Sequence, residues 1–350
     1  MRGAVKNPTL VLVGAKGADR SERLTALSPE VAALLPALRD IDGVHEAAVL
    51  ATCHRTEFYL VVDPGGPWRQ GFVPPLGVVH SGTLAAHHLL RVACGLESPI
   101  LGDGQILGQV RRAYLAARAA GSTGPLLNKL FETALSAGKR VRQTSLGRGA
   151  TTTASAAVQE AERLIGDLAR RHVLVIGAGE TAALAARHLA RRRPASLVIA
   201  NRSQTHAERV AASVSASAVT LDRLPEVLAA SDLAISATAR GAVVLSTDAI
   251  ARAMAERPDR PLLAIDLAVA GDIEATAAEI PGVTRVGLDQ VYAAAAAGLP
   301  TRLTSVPEAE AIAVERLQAF EEWIARREAV IQAPAVAAGR RGTMSFEFRT

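Results

Sequence analysis

Apolar and polar positions along this chain follow two different patterns, one before and one after about residue 171. In the first part, short apolar runs are separated by polar and turn residues. "TLVLVG" (9–14) has the length and composition of a strand. "PEVAALLPALRDIDG" (29–43) has helical spacing and is ended by Gly43. "HEAAVLAT" and "EFYLVV" read as strands flanking a polar knot at residues 52–57. "DPGGPWRQGFVPPLG" (63–77) is rich in Pro and Gly and is expected to be a loop. From 81 to 144 three segments show helical spacing, so residues 1–150 predict an α+β domain with a small sheet. "TTTASAAVQEAERLIGDLARR" (151–171) predicts a connecting helix. In the second part, "HVLVIGAGETAALAARHLARRRPASLVIANRS" reads strand, Gly-rich turn, helix, strand, and "DLAISAT" and "PLLAIDLAV" add strand-like runs. That alternation predicts a parallel α/β sheet over 172–300. Residues 307–332 predict one amphipathic helix with Ala311, Val314, Leu317, Phe320, Ile324 and Ile331 near one stripe. The fold class is therefore a multidomain α/β and α+β chain: an α+β domain, a Rossmann domain and a C-terminal helical segment over 301–350.

Composition narrows the class only modestly. Hydrophobic content of 49% and charged content of 21% are those of a globular protein with a large core. No uninterrupted apolar stretch reaches the roughly 18 residues of a membrane span, and no partner membrane is expected. Two cysteines build no disulfide framework, and with no export signal at the N-terminus a reducing, cytoplasmic setting is expected. Net charge is +5, and its placement is uneven: residues 1–150 carry 17 Lys and Arg against 11 Asp and Glu, whereas residues 151–350 carry 22 against 23. The basic excess of the first part suits a polyanionic partner, or simply a solvated surface.

The sharpest local signal is Gly177-Ala178-Gly179-Glu180-Thr181-Ala182, directly after a strand and opening a helix. Gly177 permits a tight turn, Gly179 lets the main chain approach a pyrophosphate at the helix N-terminus, and Ala182 allows close helix–sheet packing. Where an acid would bind the ribose 2′-hydroxyl of NAD, this chain has Asn201, Arg202 and Ser203. Arg202 pairs with a 2′-phosphate that a carboxylate would repel, which favours NADPH over NADH.

Cys53 lies in the knot Thr52-Cys53-His54-Arg55-Thr56-Glu57, which is not the apolar setting of a packed cysteine. A thiol beside a hydride-donor domain suggests two-step chemistry: a thiolate takes an activated acyl group as a thioester, and hydride reduces it to an aldehyde. The thiol needs cationic neighbours to ionise near neutrality, and Arg55 is one. In an extended segment, residues 53 and 55 share a face. A second polar group, His88, Ser98, Asp103 and Gln105, stands amid apolar helical residues. On composition alone His88 reads as a satisfied core histidine, and Cys94, within "LLRVACGL", as a packed one.

"LATCHRTEFY", "HLLRVACGLESPILGDGQILGQV", "GKRVRQTSLGRGA", "VLVIGAGE", "NRS" and "DLAVAGDIE", in that order over residues 45–290, resemble the glutamyl-tRNA reductase family. The resemblance implies glutamyl-tRNA as substrate and Cys53 as the nucleophile that displaces the tRNA. It implies that Arg55 grips the glutamate with help from Thr52 and Ser98, that Asp103 and Gln105 belong to the substrate side, and that His88 is an active-site partner. It further implies reduction by NADPH to glutamate-1-semialdehyde, the precursor of 5-aminolevulinate and tetrapyrroles, and the glutamate-1-semialdehyde aminomutase as a partner. The basic cluster "GKRVRQTSLGR" would meet tRNA, or would be a solvated helix face. This chain departs from the family at His54, where Asn is usual, at "GAKGADRSERLTA", where an Asn-His-Lys-Thr-Ala-Pro segment is usual, and at Asp103, where Glu is usual. The family also continues into a dimerisation domain, so a monomer or weak homodimer is expected of a chain ending at Thr350. Other functional readings are a paralogue using another aminoacyl-tRNA, a non-catalytic binding relative, and a dehydrogenase that reduces a small carbonyl directly. No metal is called for.

Overall fold

The computed structural model describes residues 8–16, 31–52, 55–68, 77–148, 152–238, 241–296 and 303–332. Its N-terminal domain is built on β1 (Thr9–Lys16), α1 (Val31–Asp40), β2 (Val44–Ala51), β3 (Arg55–Val62) and β4 (Gly77–Ser81). The sheet order is β2-β3-β1-β4 and every pairing is antiparallel, with Thr9 opposite Val62 and Lys16 opposite Arg55. All eight residues of the central β3 are buried, so both faces of the strand are covered. Arg55, Thr56 and Glu57 thus enter the core as polar groups that need partners. Residue 77, expected to end a loop, instead opens β4, because Gly77 and Val78 still find partners along β1.

Helices α2 (Thr83–Ala93), α3 (Ile106–Ala119) and α4 (Pro125–Val141) cover the sheet, followed by the short α5 (Ser145–Arg148). Pro125 suits the first turn of α4, where the amides of Leu126 and Leu127 donate to the buried Glu46 carboxylate at 3.1 and 2.7 Å. Gly138 lets α4 cross α2 closely, since a Cβ there would lie 2.5 Å from the Ala93 carbonyl oxygen.

The connecting helix α6 (Thr153–Ile165) starts at a reciprocal cap between Thr152 and Ser155 and stops at Gly166, whose φ is +73°. The Rossmann domain follows: β5 (His172–Ile176), α7 (Glu180–Ala190), β6 (Ser196–Asn201), α8 (Gln204–Ala212), β7 (Ser217–Thr220), α9 (Leu224–Ala230), β8 (Leu233–Ser236), α10 (Thr247–Ala255), β9 (Leu262–Asp266), β10 (Val283–Val286) and α11 (Leu288–Ala296). All strands are parallel in the order β10-β9-β8-β5-β6-β7. Strand order therefore reverses between β5 and β8, where a doubly wound sheet opens its ligand crevice. The four-residue edge strands β7 and β10 escape the sequence pattern, because Ser217, Thr220, Thr284 and Arg285 dilute an apolar run already too short for a period.

The last helix, α12 (Val306–Gln332), packs on α4 and α2 of the N-terminal domain. Its buried stripe is Ala309, Ile312, Ala313, Leu317 and Phe320, with Trp323 and Ile324 partly covered. This corrects the expected stripe: Ala311 and Val314 face solvent. Steps of three drift about 60° round a helix, whereas the buried row mixes steps of three and four. The Ile331 side chain lies outside the described residues. Polar contacts reinforce the seat of α12, including Thr83 Oγ1 donating to Glu321 at 2.7 Å and Arg140 to Glu315 at 2.6 Å. Among the described residues no helix is long and apolar enough to cross a membrane.

Candidate active site

A cavity of about 1010 Å³ opens between the N-terminal and Rossmann domains. Thr52, Arg55, Ser98, Asp103 and Gln105 line its first wall. The opposite wall carries Gly177 to Thr181 together with Asn201, Arg202 and Ser203. Sequence reasoning placed these residues in one site, and the structure brings them to one cavity. Cys53 and His54 lie outside the described residues.

On the first wall, β2 and β3 are closed by two short bonds. The Thr52 amide donates to the Arg55 carbonyl at 2.8 Å, and the Arg55 amide to Thr52 Oγ1 at 3.2 Å. The Arg55 side chain is 2% exposed. Its Nη1 donates to Glu57 Oε1 at 3.2 Å and its Nη2 to the backbone oxygen of Glu97. Glu57 also accepts from His88 Nε2 at 2.8 Å and from the Tyr59 hydroxyl at 2.7 Å. Burial pushes the Glu57 carboxyl up, but His88, Arg55 and Tyr59 together outweigh it and hold the group below its ordinary value. The Tyr59 hydroxyl, fully buried beside that carboxylate, is pushed well above its own. His88 does not line the cavity; it stands behind the wall, and its Nε2 is spent on the residue that holds Arg55. Glu57 and Tyr59 were missed by sequence reasoning. Their signal was present, since Arg55, Glu57 and Tyr59 alternate along a strand and so share one face.

Asp103 accepts from the Gln105 amide at 2.9 Å, yet burial dominates and raises its carboxyl above the ordinary value. Cys94 is packed as expected, 4% exposed, with its thiol pushed up by burial to about 12. Within the basic cluster, Arg140 is paired with Glu315 and Arg142 donates to the Gly104 carbonyl.

On the Rossmann wall the phosphate turn offers main chain at two glycines. Gly177 has φ +112°, and a Cβ there would lie 2.5 Å from the Ala237 carbonyl oxygen. Gly179 caps α7 without a side-chain bond, and a Cβ there would meet nothing within 4 Å. The free amides of that helix start and the open space in front of it fit a dinucleotide pyrophosphate. Glu180, expected to serve the cofactor, pairs with Arg112 of α3 at 2.5 Å. Ser203 Oγ caps α8 by accepting from the His206 amide. His206 and Arg209 also line the cavity near Arg202; they were missed, although they follow it within two turns of helix. Also missed were Thr238 and residues 267–270, which line the end beyond β8 and β9. Among the described residues, no group of three His, Cys, Asp or Glu is placed to hold a metal ion.

A Rossmann sheet whose phosphate turn faces a wall of buried, ion-paired polar side chains fits a nicotinamide-dependent oxidoreductase. The comparisons with known proteins give the family. Residues 16–145 match the model of the glutamyl-tRNA(Glu) reductase N-terminal domain, and residues 159–294 match that of shikimate / quinate 5-dehydrogenase. The chain is 36% identical to the glutamyl-tRNA reductase of Pseudomonas paraeruginosa over 322 residues, covering 88% of this chain and 76% of that protein. It is 37% identical to that of Moorella thermoacetica over 307 residues, covering 82% and 69%. The solved glutamyl-tRNA reductase from Methanopyrus kandleri superposes with a TM-score of 0.53 at 32% identity, covering 92% of this chain and 82% of that one. The chain belongs to the glutamyl-tRNA reductase family.

Proposed function

We propose that the protein reduces glutamyl-tRNA to glutamate-1-semialdehyde with NADPH, through a thioester on Cys53. The observation that carries this reading is the single cavity with Arg55, Thr52 and Ser98 on one wall and the Gly177–Gly179 turn on the other. Cys53, next to Thr52 in the chain, attacks the ester carbonyl as thiolate. The C–S bond forms, the ester C–O bond breaks, and the tRNA leaves as its terminal hydroxyl after taking a proton. When bound, NADPH would supply a hydride to the thioester carbonyl carbon. Breakage of the C–S bond then releases the aldehyde and returns Cys53 as thiolate in the same step. Arg55, fixed by Glu57 and the Glu97 carbonyl, presents its remaining guanidinium edge to the substrate carboxylate. His88 acts by holding Glu57. Arg202 would hold the 2′-phosphate, with His206 and Arg209 beside it.

The thiol nucleophile suits a reducing cytoplasm, and the reactive aldehyde suits direct delivery to the aminomutase that consumes it. The buried stripe of α12 is used within the chain, which supports a monomer or weak homodimer. Single-turnover incubation with radiolabelled glutamyl-tRNA tests the mechanism. Without NADPH, label should stay on protein and be released by hydroxylamine; Cys53→Ser should abolish it and Cys94→Ser should not. Equal labelling of the Cys53→Ser protein would end the proposal.

A further inference from the structure

The loop after β9 begins and ends in a buried aspartate. Asp266 and Asp272 are 2% and 1% exposed. Asp266 folds the loop on itself: Oδ1 accepts from the Ala268 amide at 3.0 Å, and Oδ2 accepts from the amides of Asp272 and Ile273, each at 2.9 Å. Asp272 reaches sideways to the neighbouring strand. Its Oδ2 accepts from Ser236 Oγ at 2.6 Å and from the Thr238 amide at 2.8 Å, and its Oδ1 from Thr238 Oγ1 at 2.6 Å. One carboxylate therefore ties the C-terminal end of β8 to the loop that leaves β9.

A buried carboxylate is a costly way to join two strands, and apolar side chains of similar volume would often serve stability as well. What this carboxylate adds is direction. Two donors of its own, the amide at 2.8 Å and Oγ1 at 2.6 Å, leave Thr238 little freedom of rotamer or main-chain placement, and Ser236 Oγ at 2.6 Å anchors the same carboxylate. Thr238 lines the cavity, as do Ala237 and Leu267 on either side of the brace. The phosphate turn abuts the same segment, because Gly177 approaches the Ala237 carbonyl too closely for any Cβ. In a sheet of this order the adenosine half of a dinucleotide lies toward β6, where Arg202 stands. The nicotinamide half then lies toward β8 and β9, on the segments that Asp272 joins.

We propose that Asp272 is a positioning residue for hydride transfer: through Thr238 it fixes the wall on which the nicotinamide ring rests, and it takes no part in holding the adenosine half. The inference rests on the NADPH reading above. It separates from a merely structural brace because the two halves of the cofactor should respond differently.

The test uses Asp272→Asn, Thr238→Val and Thr238→Ser, with two binding probes, NADPH and adenosine 2′,5′-bisphosphate. In Asp272→Asn an amide nitrogen would face donors, and Thr238→Val removes the hydroxyl bond while leaving the main-chain one. Each should weaken NADPH roughly tenfold while changing the bisphosphate by less than about twofold. Thr238→Ser, which keeps the hydroxyl, should restore NADPH binding. In single turnover, Asp272→Asn and Thr238→Val should form the Cys53 thioester at the wild-type rate. More of it should then be lost to water, giving free glutamate and the thiol in place of the aldehyde. Parallel weakening of both probes would reduce Asp272 to a brace for the whole domain and overturn the proposal. Unchanged NADPH binding and unchanged partition would overturn it equally. Should Asp272→Asn fail to fold, the two Thr238 variants decide alone. If the wild type binds the bisphosphate but not NADPH, or binds neither, the NADPH reading itself falls and takes this inference with it.

Discussion

The two walls of the cavity are built by opposite means. On the N-terminal side, Arg55, Glu57 and Tyr59 come from β3, His88 comes from α2, and the Glu97 carbonyl comes from the turn beyond it. These groups are charged or polar, buried, and satisfied almost wholly by one another. On the Rossmann side, the phosphate turn is main chain with the side chains left out: Gly177 and Gly179 lie three residues or fewer from the start of α7. A wall of mutually dependent charges should fail when one charge is removed. A phosphate turn of main chain should tolerate changes in the side chains around it, and its wall should lose affinity locally, contact by contact.

The largest expected effect tests the first half of that comparison. Glu57→Gln leaves the Arg55 guanidinium buried without its counter-charge, which should cost about 3–5 kcal/mol of stability near neutral pH. The sign of the pH dependence follows from the lowered Glu57 carboxyl. Its contribution is fully present above its ordinary value of 4.5 and is lost as pH falls through the lower folded value. Urea unfolding of wild type and variant should therefore show a gap that narrows on acidification. A gap that stays constant down to about pH 3 would mean that Glu57 acts by shape and not by charge.

A smaller and more local effect is expected on the opposite wall. Arg202→Ala should weaken NADPH by about 1.5–3 kcal/mol, roughly tenfold or more, and leave NADH and the melting temperature nearly unchanged. His206 and Arg209, which line the same end, place the expectation toward the lower limit. Fluorescence titration with both nucleotides measures it. Equal affinity of the wild type for both would remove Arg202 from the 2′-phosphate site.

The same contrast explains what the sequence disclosed. The Gly177–Gly179 turn was legible because its meaning is complete within six residues, strand before and helix after. Arg55 was legible as a neighbour of Cys53, and Glu57 shares its strand face, but the distant groups were not legible: Arg55 donates to the Glu97 carbonyl across 42 residues and His88 bonds Glu57 across 31, and pairing at that distance leaves no local trace. Asp272 was visible only as part of a motif, since its donors Ser236 and Thr238 stand 36 and 34 residues away. The stripe of α12 was misphased for a related reason. Helical spacing shows that a face is apolar, whereas the choice between Ala311 with Val314 and Ala309 with Ala313 depends on where α4 and α2 lie.

The smallest expected effect concerns a charge that belongs to neither wall. Arg140 sits in the basic cluster that sequence reasoning offered to tRNA or to solvent. Its Nη1 lies 2.6 Å from both carboxylate oxygens of Glu315 on α12. The two side chains are 44% and 54% exposed, so water and salt screen the pair. Exposed pairs of this kind contribute about 0.2–1 kcal/mol, and Arg140→Gln should destabilise the protein by no more than that. The loss should shrink further in about 1 M salt, where the screening length is near 3 Å. A phosphate-binding arginine behaves differently: its removal lowers the slope of log affinity against log salt by about one. Because the Arg140 guanidinium is already engaged, Arg140→Gln should leave that slope for glutamyl-tRNA unchanged, while Lys139→Gln on the adjacent position provides the control. A slope reduced by one in the Arg140 variant would mean that tRNA displaces Glu315, and that the seat of α12 is itself remodelled when substrate binds.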